Sequence, residues 1–201
     1  MKLRYASGSP FVRKVTVCAI EVGLDDRIER IPTDTRAPDD DFHRANPLGK
    51  VPALTLDHGR VMIESSVICA YLDSLHDGPR LIPEAGEAQH DALYLEALSD
   101  GMTEAAVAVQ RERGRPEDKQ WNVFSARQWG KVERALDAME ANTALLEGPL
   151  TIGHIALGCG LGWVIYRLGD RIAGWEETHP RLAAWYPDFT ARPSMQATTP
   201  K

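Results

Sequence analysis

Asn46-Pro47-Leu48-Gly49-Lys50-Val51-Pro52-Ala53-Leu54 is the stretch on which the fold turns. Two prolines bracket a Gly-Lys turn, and an apolar run follows at once. Val51–Leu56 and Arg60–Ile63 flank Asp57-His58-Gly59, a tight-turn signal, so a β-hairpin is expected. The Val51–Pro52 bond enters a strand and is therefore a candidate cis bond. A cis bond would turn the Val51 N–H and C=O out of the ladder and toward an extended peptide, as in strand addition. A rigid turn that binds nothing explains the same two prolines.

Upstream, Lys2–Ala6 can form a strand. Pro10–Val22 carries Phe11, Val15, Cys18, Ala19 and Val22 at helical spacing, and Gly23 stops the helix. Ile28–Ile31 is a second short strand, and residues 34–42 form a polar loop leading into a short helix. Downstream of the hairpin, Ser65–His76 is helical, with Val67, Ile68, Tyr71, Leu72 and Leu75 on one side. The order is β-α-β-α-β-β-α.

Asp77-Gly78-Pro79 breaks this pattern. Residues 1–77 form a small mixed α/β domain, residues 78–86 a linker rich in Pro and Gly, and residues 87–201 an all-α helical domain. Long helices are expected over 87–112, 118–147 and Thr151–Leu168, with a short one at Pro180–Trp185. The 118–147 helix rests on Trp129, Val132, Leu136, Met139, Thr143 and Leu146, which recur every three or four positions.

The chain has 201 residues and a net charge of −6, from 23 basic and 29 acidic side chains. That balance argues against non-specific binding to nucleic acid or an anionic membrane, both of which need a field of Lys and Arg. At 43% hydrophobic and 26% charged it is an ordinary globular composition, which excludes general disorder. No apolar run is long enough to span a bilayer, and the start MKLRYASGSPFVRK does not read as a signal peptide. Cys18, Cys69 and Cys159 are too few and too scattered for a disulfide framework or a zinc cluster, so buried free thiols in a cytoplasmic protein are expected.

Ser9-Pro10 reads as a helix start, because Pro favours the first helical position and Ser the cap before it. Ser9 then sits at the positive end of a helix dipole, either as a simple cap or as a hydroxyl that donates to an anion. Ser7, two residues earlier, is the rival donor. Ile63-Glu64-Ser65-Ser66 repeats the pattern: Ser65 stands at a second cap position, where its N–H and hydroxyl could receive a carboxylate, and Glu64 could hold an ammonium. Together they suit an α-amino acid end, which carries both charges.

SPFVRKV, NPLGKVPAL and IESSVICAYL occur in the order found in glutathione transferases, and the sequence resembles that family over essentially its whole length, the tail ARPSMQATTP included. The resemblance implies a thioredoxin-like N-terminal domain followed by a helical bundle, and a cytoplasmic homodimer in detoxification. Its substrates would be glutathione and an electrophilic small molecule, with no metal. By position, Ser9 would hydrogen-bond the glutathione sulfur and Lys50 would face the glycyl carboxylate. Val51, before cis-Pro52, would pair with the cysteinyl unit. Glu64 and Ser65 would hold the γ-glutamyl end, and Phe11 would border the pocket. Asp100 would approach the partner subunit's site, and Phe11, Trp163 and Tyr166 stand nearest the second substrate. A non-catalytic ligand carrier or transcription-machinery partner is the alternative on the same architecture.

The energetics allow thiolate chemistry. A hydrogen bond to a charged group contributes about 1.5–3 kcal/mol, and a helix N-terminus roughly 0.3–1 kcal/mol, at most near 2. Together these lower a thiol by about 1.5–3 pKa units, from an ordinary value near 8.5. Serine at position 9, in place of cysteine, disfavours the mixed-disulfide chemistry of cysteine-type members.

The sequence departs from the family at Thr151-Ile152-Gly153-His154, where His stands in place of the acid that closes a capping box. Thr151 can cap, but the reciprocal contact is expected to be missing. Gly158-Cys159-Gly160-Leu161-Gly162 lies inside a helical stretch and reads as close helix packing, not as a nucleotide loop. Asp39-Asp40-Asp41 reads as a solvated charge run, and Arg111-Glu112-Arg113-Gly114-Arg115 as a mixed-charge helix end without a ligand.

Overall fold

The hairpin expected from the proline turn is the outer half of a four-stranded sheet. In the computed structural model, which describes residues 1–37 and 40–200, β1 (Lys2–Tyr5) lies between β2 (Glu29–Pro32) and β3 (Ala53–Thr55), with β4 (Val61–Ile63) at the far edge. β1 runs parallel to β2, pairing Leu3 with Arg30, and antiparallel to β3, pairing Leu3 with Leu54. β3 and β4 form the hairpin, with Leu54 opposite Met62. The parallel β1–β2 pair requires a crossover, and α1 (Pro10–Glu21) supplies it. α2 (Asp40–Ala45) and α3 (Ser65–Asp73) complete the β-α-β-α-β-β-α order of a thioredoxin-like domain. Asp39 of the acidic run lies outside the described residues, and Asp41 is exposed and paired with Arg44.

The second half is helical throughout: α4 (Glu87–Arg113), α5 (Asn122–Ala141), α6 (Ile152–Leu168), α7 (Trp175–Thr178), α8 (Pro180–Thr190) and α9 (Pro193–Ala197). The single helix expected over 118–147 is shorter. Glu117–Lys119 and Thr143–Leu146 are separate 3-10 turns, because Gln120 and Trp121 before α5 and Asn142 after it adopt non-helical backbone angles. α8 runs on past Trp185 and carries Pro187 within it. No described helix is long and apolar enough to cross a membrane.

α6 is the centre. It packs on α4 along one side and on α1 along another. Its glycines permit this: a Cβ on Gly158 would lie 2.2 Å from the Phe189 ring, and one on Gly160 would lie 2.2 Å from Thr103 Oγ1. The Gly-x-Gly run is therefore a packing surface. The two halves share a core in which Leu3, Val15 and Ile68 meet Ile155, Cys159 and Phe189. A buried ion cluster joins them as well. Lys14 of α1 is 1% exposed, and its Nζ lies 2.9 Å from Glu96 Oε1 and 2.6 Å from Asp100 Oδ2, both on α4. The C-terminal segment returns to α1, where Arg192 and Ser194 donate to the Glu21 carboxylate and Arg13 donates to the Met195 carbonyl.

The expected gap in the α6 capping box is filled. His154 Nδ1 accepts the Thr151 N–H at 2.9 Å, the contact an acid would make. A neutral imidazole has one unprotonated nitrogen, and that suffices as the acceptor.

Candidate active site

Two chain segments meet over a cleft of about 620 Å³, and a third lines a recess beside it. The first is the β1–α1 connection. Ser9 has extended backbone angles (φ −87°, ψ 122°), and its Oγ accepts the Val12 N–H at 3.3 Å, so it caps α1 as expected. Pro10 occupies the first helical turn. Ser9 lines the cleft, whereas Ser7 lines only a small neighbouring recess. The Ala6 carbonyl accepts the Ser9 N–H at 3.0 Å, and the Gly8 carbonyl accepts the indole N–H of Trp163 at 2.9 Å.

The second segment is the proline turn. The Val51–Pro52 peptide is cis. β3 begins at Ala53, so Val51 takes no part in the ladder. Buried Asn46 holds the turn: its Nδ2 donates to the Lys50 carbonyl at 2.7 Å, and its Oδ1 accepts the Leu48 N–H at 3.0 Å. Sequence reasoning missed Asn46, although an Asn before a proline turn is the residue type that makes such local bonds. Lys50 is exposed at the cleft.

The third segment opens α3. Here the expected cap shifts by one residue: Glu64 occupies the cap position, and Ser65 is the first helical residue. The Ser65 N–H is therefore one of the first-turn donors that a helix leaves unpaired. Ser65 is 4% exposed and Glu64 is exposed. Glu64 is the one described non-glycine residue with positive φ, at +68°. That conformation costs about 1–3 kcal/mol and is characteristic of ligand-binding positions. A recess lined by Phe11, Lys50, Val51, Pro52, Glu64 and Ser65 opens beside the main cleft. The seven expected site residues are thus gathered in one place.

The wall opposite is built by α4, α5 and α6. Glu104, Val107, Ala108 and Arg111 come from α4, Phe124 from α5 and Trp163 from α6. Tyr166, expected near the second substrate, lies one turn further along α6, in the recess with Ser7, Arg13 and Thr198. Asp100 is committed to Lys14 of its own chain. Arg111, read from sequence as part of a mixed-charge helix end without a ligand, is exposed and lines the cleft.

None of the three cysteines lines the cleft. All are buried and free. Burial pushes the Cys69 thiol well up and the Cys159 thiol up to about 12, so neither is a thiolate at neutral pH.

Comparison with known proteins agrees with this geometry. The family model for the glutathione S-transferase N-terminal domain matches residues 8–75, and that for the C-terminal domain matches residues 106–186. A glutathione transferase family member from Pseudomonas fluorescens Pf-5, solved with bound glutathione, is 41% identical with a TM-score of 0.95, covering 100% of this chain and 98% of that one. A structure from the same organism with bound S-(propanoic acid)-glutathione is 39% identical with a TM-score of 0.90, covering 100% of both chains. The protein named "Uncharacterized GST-like protein YibF" of Escherichia coli (strain K12) is 31% identical over 207 residues, which is 100% of this chain and 98% of that protein. With both halves matched and near-full-length likeness to solved members, the chain belongs to the glutathione S-transferase family.

Proposed function

We propose that the cleft binds glutathione and that the protein joins the glutathione sulfur to the electrophilic carbon of a small molecule. The observation that carries this is the Ser9 hydroxyl. Its oxygen accepts the Val12 N–H at the positive end of α1, and its own proton is left to donate into the cleft it lines. Ser9 would donate to the sulfur and, with the α1 N-terminus, hold it as the thiolate. Ser9 steadies an anion and takes no proton. Lys50 would face the glycyl carboxylate, and the Val51 backbone, free of the ladder, would pair with the cysteinyl unit beside Pro52. The Ser65 N–H would receive the γ-glutamyl carboxylate, and Glu64 the ammonium. Phe11 would border the pocket. The thiolate attacks the electrophilic carbon directly, with no covalent enzyme intermediate.

Bound glutathione in the Pseudomonas fluorescens relative supports this assignment, as does bound S-(propanoic acid)-glutathione in the other structure. The same proposal takes the protein as a cytoplasmic homodimer.

The test has two parts. The wild-type protein is expected to be retained on immobilised glutathione and to turn over an aryl halide. Ser9→Ala is expected to keep the fold, losing about 1 kcal/mol of stability with the cap. Its kcat/KM should fall about 10–100-fold, the value of a charged hydrogen bond. In an alkaline titration of the glutathione-loaded protein, the ultraviolet thiolate band should rise at lower pH than for free glutathione, and Ser9→Ala should remove that difference. A band no earlier than that of free glutathione overturns the assignment of Ser9. Retention without turnover favours the ligand-carrier alternative.

A further inference from the structure

The charges on α4 divide the cleft into two ends. Glu104, Val107, Ala108 and Arg111 follow the i, i+3, i+4, i+7 spacing that aligns side chains along one helix face, and all four line the cleft. Glu104 also lines the recess of Glu64 and Ser65, so it belongs to the glutathione end. Arg111 stands two turns on, about 10 Å along the helix axis. Val107 and Ala108 lie one turn before it on the helix, and Glu112, Phe124 and Trp163 line the same cleft. Phe124 is itself backed by Trp121, with ring centroids 6.0 Å apart, so this end has an aromatic wall.

Arg111 carries a charge that the protein does not answer. Among the described residues no hydrogen bond or ion pair engages its side chain. The adjacent acid, Glu112, is already taken: its Oε1 accepts the Trp121 N–H at 2.7 Å, and its Oε2 lies 3.4 Å from Arg115 Nη1. Lys50, the other cation in the cleft, lies at the glutathione end. An unpaired guanidinium on an apolar and aromatic wall recognises an amphipathic anion, and its planar donors match a carboxylate.

We propose that Arg111 determines acceptor specificity by binding a carboxylate, so that the second substrate is an aromatic or unsaturated electrophilic acid. This deepens, and rests on, the transferase assignment above. Arg111 takes no part in the bond changes. With a chloronitrobenzoate as acceptor, the sulfur lone pair forms the new C–S bond at the ring carbon bearing chlorine. The ring and nitro group hold the displaced electron pair, which returns to restore the aromatic ring as the C–Cl bonding pair leaves with chloride. The thiol proton has already passed to solvent.

The test uses a matched pair, 4-chloro-3-nitrobenzoate and its methyl ester, which differ in charge but share ring and leaving group. On going from wild type to Arg111→Gln, kcat/KM for the acid relative to the ester is expected to fall about 10–100-fold, the range of a charged hydrogen bond. The ester's kcat/KM should fall by less than the acid's, since the ester carries no charge for Arg111 to bind, and the KM for glutathione should stay within about twofold. Arg111→Lys should recover part of the ratio. Calorimetric affinities of the two preformed glutathione conjugates should show the same change of ratio, and they read Arg111 even without turnover. Ester turnover with an unchanged acid-to-ester ratio overturns the role of Arg111 and leaves the transferase assignment standing. A raised KM for glutathione with both acceptors also overturns it, because Arg111 would then hold glutathione. No turnover of either acceptor counts against the transferase assignment, and the conjugate affinities then decide Arg111 alone.

Discussion

The indole Nε1 of Trp163 donates to the Gly8 carbonyl at 2.9 Å, tying the central helix of the helical half to the residue just before Ser9. The two residues are separated by 155 positions in sequence, so the position of the Ser9 hydroxyl depends on how the two halves dock.

Trp163→Phe keeps the ring in the cleft wall and removes this bond. A neutral hydrogen bond contributes about 0.5–1.5 kcal/mol, so kcat/KM with an aryl halide should fall roughly 2–12-fold. The glutathione thiolate band should move toward the pH of the free tripeptide. An unchanged titration would mean that the Ser9 N–H bond to Ala6 holds the loop by itself.

Lys14→Met removes the cation from a buried cluster and leaves Glu96 and Asp100 without it. Breaking a buried pair from one side costs about 3–5 kcal/mol, measured here as urea-unfolding free energy. Burial raises the Asp100 pKa, with Lys14 pulling it back and Glu96 and Glu104 pushing it up. Without Lys14 it rises further. A carboxyl raised on folding adds stability below its unfolded pKa, and that stability is lost as pH climbs through the folded value. The deficit of Lys14→Met should therefore be smaller at pH 5 than at pH 8. Equal deficits at both values would contradict this account.

His154 makes stability depend on pH in the opposite sense. Burial lowers its pKa against a backbone contact with Leu145 that pulls it up, and its Nδ1 accepts the Thr151 N–H. The stability due to its neutral form is complete above the ordinary histidine value and is lost as pH falls through the lower folded one. Protonation also ends the acceptor role of Nδ1. Glutamine at the same position can close the capping box without titrating. His154→Gln should match wild type near pH 8. Near pH 5 it should melt about 2–4 °C higher, the shift expected from about 1 kcal/mol in a chain of this size. Parallel melting profiles across that range would remove His154 as the titrating group.

What could be read from sequence was local. Ser9-Pro10, the proline turn and Glu64-Ser65 each announce themselves through backbone chemistry within four or five residues, and these are the segments that line the cleft and the recess beside it. The order of the elements along the chain followed from the same short signals, whereas the order of the strands in the sheet came only with the structure. Contacts between distant residues were not legible. Lys14 lies 82 positions from Glu96, and no periodicity links them. Arg111 read as part of a mixed-charge helix end without a ligand because the neighbouring charges hide which face the residue occupies. The 118–147 repeat overran its helix because Thr143 and Leu146 keep the right spacing on a 3-10 turn. His154 was judged by the acid it replaces, although a neutral imidazole accepts the same N–H.

The glycine run of α6 has an evolutionary corollary. With Phe189 and Thr103 resting where side chains would begin, drift at Gly158 and Gly160 is blocked by collision with neighbours on two other helices. Substitutions that reshape the cleft meet no such collision on the faces of α4 and α5 that carry Val107, Ala108, Arg111 and Phe124.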